Sequence, residues 1–564
     1  MASKDVRLNA SDIHTAQGTI HVRPYRVSGS KNLSALVSFT PRHSYFDLGN
    51  QRSGSDAFRG FYSLFWIAMF LLMLRSYVTS FEQTGYPLSL AFATLFSKDA
   101  KTLAISDAIM VFSTVLCVPF IQSIQHGWIP YYWTGLILQH FWQAVTLALA
   151  ITWTFNREWP WVQSGFFTLH AIVMLMKIHS YLTVNGHLSA LTALLAQREE
   201  ELKTLCETPA VGGYTKALAD AKSGLEREIK EKEKESGYAS GGEQSTGGTA
   251  TPIEDPALSG TRNAAGLRER VTNVSITSAS GVAPPSATIT GTSASSDAAS
   301  HPLLSHPREE VRALATIISD IESELTSRGP ARVRWPENVT YANYFDYLLV
   351  PSLVYELEYP RTDRIRPLYV FEKTVATFGT FTLLYSIVQI YILPLTPTRD
   401  QSFARSLLDL ALPFMLCYIL LFYIIFECVC NGFAELSRFA DREFYEDWWN
   451  STTWDEYARK WNKPVHAFLL RHVYASTMAS SAKFSKSRAA FVTFLLSACA
   501  HELVMAIVTK KIRMYLFLMQ MIQIPLIALG RVPWVRRNKM LGNVIFWMGL
   551  MTGLPLLCVA YCAY

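Results

Sequence analysis

The sequence predicts an all-α, polytopic membrane protein of about nine transmembrane helices, and three observations carry that expectation. Half of the 564 residues are hydrophobic and only 17% are charged, where a soluble domain carries roughly a quarter. Apolar runs of spanning length, roughly 17–25 residues, recur in two sets. Between the sets, no Phe, Tyr or Trp occurs from Ala239 to Arg334, so that stretch cannot bury enough surface to offset its ordering entropy.

Residues 1–57 are polar and without periodicity and are read as a disordered tail with no cleavable signal peptide. The first membrane set, 58–204, holds four spans near 61–79, 104–124, 131–153 and 162–182. A linker, 205–307, is expected to be disordered, and 308–340 forms an amphipathic helix and connector. Leu188, Leu191, Leu195, Leu202 and Leu205, and beyond the linker Val311, Leu314, Ile318, Ile321 and Leu325, mark two narrow helical seams. The second membrane set, 341–564, holds five spans near 371–393, 407–430, 489–508, 514–529 and 543–562, of which 514–529 is marginal in length.

The net charge of +6 is modest, and its basic residues lie in loops beside apolar runs. That suits a bilayer surface and argues against nucleic acid. Arg438, Arg442, Arg459, Lys460, Lys463 and Arg471 place the loop 431–487 on the cytosolic side together with the N-terminus. Lys510, Lys511 and Arg513 run against this bias. Eight cysteines without a CxxC pair indicate neither zinc nor redox chemistry.

Two stretches carry chemistry. Phe444-Tyr445-Glu446-Asp447-Trp448-Trp449-Asn450 sits in the cytosolic loop, where Tyr445, Trp448 and Trp449 are candidate walls of a substrate entrance. The Asn450 amide is a candidate oxyanion donor and Asp447 a candidate holder of the loop. Trp-rich stretches beside spans also form plain interfacial belts. Ser497-Ala498-Cys499-Ala500-His501-Glu502 lies within a span, where ionisable groups are costly and mark function. His501 is the candidate general base, with burial expected to keep it neutral. Ser497, one turn earlier, permits a nucleophilic serine, although membrane-helix serines usually bond the carbonyl one turn back. Glu502 points about 100° away from His501 and cannot orient its ring. The sequence His501-Glu502-Leu503-Val504-Met505 lacks the second histidine of a zincin helix, so no metal site is expected. His466 and His472 read as surface or interfacial, and His179 as a second polar intrusion able to line a cavity.

Phe444–Asn450 resembles the F-Y-x-D-W-W-N motif of the membrane-bound O-acyltransferase family, in its branch that makes sterol esters and triacylglycerol. Tyr355–Thr362, Pro464-Val465-His466 and Ser497–Glu502 are similar to further stretches of that family. Gly542–Trp547 and Met514–Leu529 look more like the fungal sterol enzymes than the diacylglycerol ones. The resemblance implies the membrane-bound O-acyltransferase fold and an endoplasmic-reticulum enzyme. It would pass a fatty acyl group from acyl-CoA, a co-substrate, to a sterol 3-hydroxyl, with diacylglycerol as the alternative acceptor. It further implies His501 and Asn450 as catalytic, Tyr445, Asp447, Trp448, Trp449, Ser497 and Glu502 as substrate-binding, no cofactor, and a homo-oligomer. A lipid transporter or a scaffold is disfavoured: no repeat relates the two sets of spans, and a scaffold has no use for an intramembrane histidine beside such a loop.

Overall fold

The computed structural model describes residues 39–47, 59–86, 93–238, 301–327, 329–398, 400–479, 484–530, 532–533 and 537–563, with the strands β1 (Ser11–Thr15) and β2 (Gly18–Val22) of an antiparallel hairpin. The helices of the first set are α1 (Arg59–Thr84), α2 (Ala100–Gln125), α3 (Tyr131–Asn156) and α4 (Trp161–Glu207). Then come α5 (Tyr214–Tyr238), α6 (Glu309–Leu325) and α7 (Tyr341–Leu349). The second set comprises α8 (Pro367–Leu395), α9 (Phe403–Leu436), α10 (Trp454–Trp461) and α11, built from Lys463–Phe468, Leu469–Ala475 and Ser476–Ala479. It ends with α12 (Lys486–Thr509), α13 (Tyr515–Met521), α14 (Gln523–Gly530) and α15 (Lys539–Ala563).

Eight of these helices are long and apolar enough to cross a bilayer, four in each set. The ninth expected run, 514–529, instead forms the two short helices α13 and α14. At 1.5 Å per residue they reach about 24 Å, short of the roughly 30 Å hydrocarbon core. They nevertheless return the chain along α15. Met514 and Tyr561 meet at Glu502, while a Cβ built on Gly530 or Gly542 would touch Thr453 or Thr452.

Local sequence explains the ends of the elements around the loop. Thr453 caps α10 by accepting from the Glu456 amide, and Asp455–Arg459 and Glu456–Lys460 pair one turn apart at 2.7 Å. Asn462 accepts from the Val465 amide at 3.1 Å to open α11, where Pro464 lies in the first turn. The Ser485 hydroxyl caps α12 through the Arg488 amide. Four segments widen into π-helical turns, Tyr131–Gly135 in α3, Val388–Ile392 in α8, Tyr423–Cys430 within α9 and Leu469–Ala475 within α11. Such turns recur at functional sites.

Two compact units divide the chain, one of residues 1–198 and 320–564 and the other of residues 199–319. The larger holds all eight long helices apart from the end of α4. In the smaller, Leu202, Cys206, Val211, Ala217, Ala221, Leu303 and Val311 are buried, and a Cβ on Gly224 would run into the Ser305 carbonyl. Both seams form helices whose inward residues are buried: Leu188, Leu191, Leu195 and Leu202 in α4, and Val311, Ile318, Ile321 and Leu325 in α6. The first is not a separate helix but the continuation of the fourth span, because no Gly or Pro stop follows His179 before Glu207 except the helical Gly186. Gly186 abuts the Tyr131 ring.

Two expectations of disorder need correction. Residues 39–47, inside the supposed tail, are seated against the second set through ion pairs and stacked rings described below. Part of the supposed linker, Tyr214–Tyr238, is a helix with an alanine-lined buried face. Within these two segments, residues 23–38 and 239–300 lie outside the described residues.

Candidate active site

The motif loop owes its shape to an aromatic core beneath it. Trp448 is 2% exposed and meets Trp461, Phe422 and Tyr418 edge-on, with ring centroids at 4.9, 5.2 and 5.9 Å. Each such pair adds about 0.5–1.5 kcal/mol beyond area burial. Trp448 is therefore a wall of the protein core, not of an entrance. Tyr445 is likewise buried, its hydroxyl donating to Glu427 at 2.9 Å. Burial, with the Glu427 carboxylate beside it, pushes the Tyr445 phenol far above its ordinary range. Trp449 is half-buried, and its carbonyl accepts from Asn543 Nδ2 at 3.0 Å and Trp547 Nε1 at 3.1 Å. The same Asn543 amide donates to the Ser451 carbonyl at 2.9 Å. Gly542 leaves room for this docking, since a Cβ there would lie 2.6 Å from the Thr452 carbonyl.

These contacts present Asn450. Its Nδ2 donates to Asp447 Oδ2 at 3.3 Å, and Asp447 Oδ1 pairs with Lys460 at 3.0 Å. Asp447 thus orients the amide, while Asn450 Oδ1 and the second N–H have no partner among the described residues and the residue is exposed. Lys460, though burial opposes its charge, titrates above its ordinary value because Glu456 and Asp447 flank it.

His501 lies about 22 Å along α12 from Lys486 at 1.5 Å per residue. The ring is accessible rather than buried as expected, because it faces away from the helices that pack on the Glu502 side. His501 Nδ1 lies 2.7 Å from the Ser497 carbonyl and 3.4 Å from the Ser497 hydroxyl. A carbonyl only accepts, so Nδ1 carries the proton and Nε2 keeps its lone pair. This geometry equips His501 as a base through Nε2 and leaves no basic nitrogen facing Ser497, which disfavours a serine nucleophile. Among the described residues no hydrogen bond joins Asn450 to His501.

Glu502, grouped above with substrate binding, has a structural post. It is 5% exposed and its carboxylate accepts from the Met514 amide at 2.7 Å, the Phe517 amide at 3.1 Å and the Tyr561 hydroxyl at 2.9 Å. It therefore caps α13 and ties it to α12 and α15.

Two polar clusters were missed or misread. Glu427, in the π-helical turn of α9, accepts from Lys373 at 2.9 Å, Ser44 at 2.5 Å and Tyr445 at 2.9 Å. Lys373 and Glu427 each interrupt an apolar run, which was the available signal. His472, expected at the surface, is buried in α11 with Nε2 2.7 Å from Ser180 Oγ. Ser180 also accepts from the Tyr355 amide at 2.8 Å, and the His179 ring lies 5.3 Å away. Burial, then His179 and Arg471, holds the His472 pKa well below its ordinary value. No group of three or more His, Cys, Asp or Glu among the described residues is arranged to hold a metal.

Comparison with known proteins gives this geometry a lineage. Residues 260–563 match the model of MBOAT, the membrane-bound O-acyltransferase family. The chain is 32% identical to "Probable sterol O-acyltransferase 1" of Schizosaccharomyces pombe, over 93% of this chain and 86% of that protein. It is 30% identical to "Sterol O-acyltransferase 2" of Candida albicans over 95% and 80% of the two chains. "Diacylglycerol O-acyltransferase 1" of Dictyostelium discoideum is 37% identical, but over only 40% of this chain and 37% of that one. A family match over more than half of the chain, joined to similarity along nearly its whole length, makes this protein a member of the membrane-bound O-acyltransferase family and an acyltransferase enzyme.

Proposed function

We propose that the protein is a sterol O-acyltransferase that joins a long-chain acyl group from acyl-CoA to a sterol 3-hydroxyl. The observation that carries the chemistry is the 2.7 Å contact of His501 Nδ1 with the Ser497 carbonyl, which leaves Nε2 free to take a proton. The sterol preference is supported by the names of relatives similar along nearly the whole chain, against a diacylglycerol enzyme that is similar over less than half.

In this reading the hydroxyl gives its proton to His501 Nε2 as its oxygen attacks the thioester carbonyl. The tetrahedral intermediate collapses, the C–S bond breaks, and the imidazolium returns its proton to the departing thiolate to give free CoA. Asn450 steadies the acyl-CoA or the developing oxyanion. No metal or redox cofactor enters the reaction. His501 lies deep, where a membrane-borne alcohol arrives sideways from the bilayer, and Asn450 lies in the basic loop suited to a phosphorylated carrier. An endoplasmic-reticulum location, a cytosolic motif loop and homo-oligomerisation belong to the same proposal. The Lys and Arg bias of loop 431–487 supports the sidedness.

Purified protein given labelled oleoyl-CoA with ergosterol, cholesterol or diacylglycerol tests this directly. Labelled sterol ester is the expected product. Triacylglycerol alone would overturn the sterol assignment in favour of the diacylglycerol reading.

A further inference from the structure

We propose that residues 39–47, ahead of the first span, form a strap that positions the active-site loop, with Phe46 and Ser44 as positioning residues for acyl transfer. The proposal rests on the acyl-transfer reading and adds to it a segment that the motifs do not include.

The strap is tied along its length. The Phe39 ring lies 5.4 Å from Tyr359 and 5.8 Å from Phe439. The Arg42 amide donates to the Ala440 carbonyl at 3.0 Å, and the Arg442 amide donates back to the Arg42 carbonyl at 2.9 Å. The Arg42 guanidinium grips Asp441 with two nitrogens, at 2.8 and 2.7 Å, and reaches Glu443 at 2.5 Å. Bidentate pairs of this kind fix orientation as well as proximity. The strap is therefore in register with the residues that lead into Phe444.

Beyond this anchor it enters the site. Ser44 is fully buried and donates at 2.5 Å to Glu427 Oε2, the oxygen that also accepts from Tyr445. Tyr45 meets Trp449 edge-on at 5.1 Å. Phe46 stacks on Trp449 at 5.6 Å and 15°, and on Tyr62 of α1 at 5.1 Å and 18°. Phe46 is thus a flat spacer between the first span and the residue adjoining Asn450. The Trp449 carbonyl is held by Asn543 and Trp547, so the Phe46 stack on its ring and the hydrogen bonds to its carbonyl together set the pose of Asn450. Misplacement of a positioning group by about 1 Å costs up to about 10²-fold in rate.

The experiment compares kcat and KM for oleoyl-CoA in wild-type protein, Phe46→Ala, Phe46→Tyr, Ser44→Ala and the exposed neighbour variant His43→Ala, each checked for monodisperse elution. Phe46→Ala is expected to lower kcat about tenfold or more while KM stays within about twofold. Phe46→Tyr, which keeps the flat ring, should recover most of the loss, Ser44→Ala should lose a smaller part, and His43→Ala should match wild type. Should Phe46→Ala not be recovered folded, Phe46→Leu, which keeps the bulk without the flat ring, carries the same expectation. Wild-type kcat in Phe46→Ala or Phe46→Leu would overturn the proposal, as would a kcat loss that Phe46→Tyr fails to recover. Failure of the acyl-transfer reading would show differently, as absence of ester in the wild-type reaction.

Discussion

Replacing Glu502 separates a structural anchor from a substrate ligand, although it adjoins the candidate base. Its carboxylate satisfies two backbone N–H groups at the entrance to α13 and the Tyr561 hydroxyl. N–H groups at a helix start have no intrahelical acceptor, and each buried donor left unsatisfied costs about 1–3 kcal/mol. In Glu502→Ala the Tyr561 hydroxyl can turn to another acceptor, whereas the Met514 and Phe517 amides cannot. The expected loss is therefore about 2–6 kcal/mol. Glu502→Gln keeps one acceptor oxygen but aims an NH2 at a donor, so it should lose about half as much. Tyr561→Phe removes one donor to Glu502 and also the acceptor of the Leu516 amide at 3.3 Å, and should cost about 1–3 kcal/mol. Thermal unfolding in detergent, read beside steady-state kinetics, tests the series. The expected order of stability is wild type, then Tyr561→Phe and Glu502→Gln together, then Glu502→Ala, with KM for both substrates unchanged wherever turnover survives. A Glu502→Ala enzyme that melts like wild type but shows a tenfold higher KM would refute the anchor and make the carboxylate a substrate ligand.

Further outcomes are expected. His501→Ala should lose about 10²–10⁴-fold in turnover while remaining folded. Ser497→Ala should stay within a few-fold, because the backbone carbonyl rather than the hydroxyl holds the ring; an acyl group trapped on Ser497 would revive the covalent route. Gly542→Ala drives a Cβ to 2.6 Å from the Thr452 carbonyl, so it should displace the motif loop and impair activity more than Asn543→Ala, as parallel assays of the two would reveal. His472 is held neutral by burial, His179 and Arg471, so the unfolded chain binds its proton first. Stability from this group is full above about pH 6.5 and falls on acidification by up to about 1.4 kcal/mol per pH unit, so the slope should be shallower by that amount in His472→Gln when unfolding is followed against pH. For sidedness, Ser451 is fully buried and unsuited to labelling, whereas Ala458 on α10 is exposed. Ala458→Cys should react with an impermeant thiol reagent in sealed microsomes, and protection until they are opened would move the loop to the lumen.

The sequence by itself determined the helical membrane class, the two sets of spans and the seam helices, since hydrophobic length and periodicity are local properties of the chain. It also singled out Asn450 and His501, because an amide within an aromatic cluster and an ionisable group within an apolar run stand out without any contact map. Only the tertiary structure decided what their neighbours do. Trp448 and Tyr445 were candidate walls on composition, yet Phe422, Trp461 and Glu427 enclose them. Glu502 read as part of the site because it follows His501, yet the return of α13 and α15 to α12 turns it into a cap. His472 looked interfacial in its amphipathic stretch, and Ser180, distant in sequence, makes it a core residue. Residues 39–47 read as tail because their polarity has no period, but the Asp441 and Glu427 carboxylates that satisfy Arg42 and Ser44 lie nearly four hundred residues away. Pairings at such separations leave no trace in local pattern, because the partner that offsets the desolvation of a polar group is supplied by the fold and not by the adjoining chain.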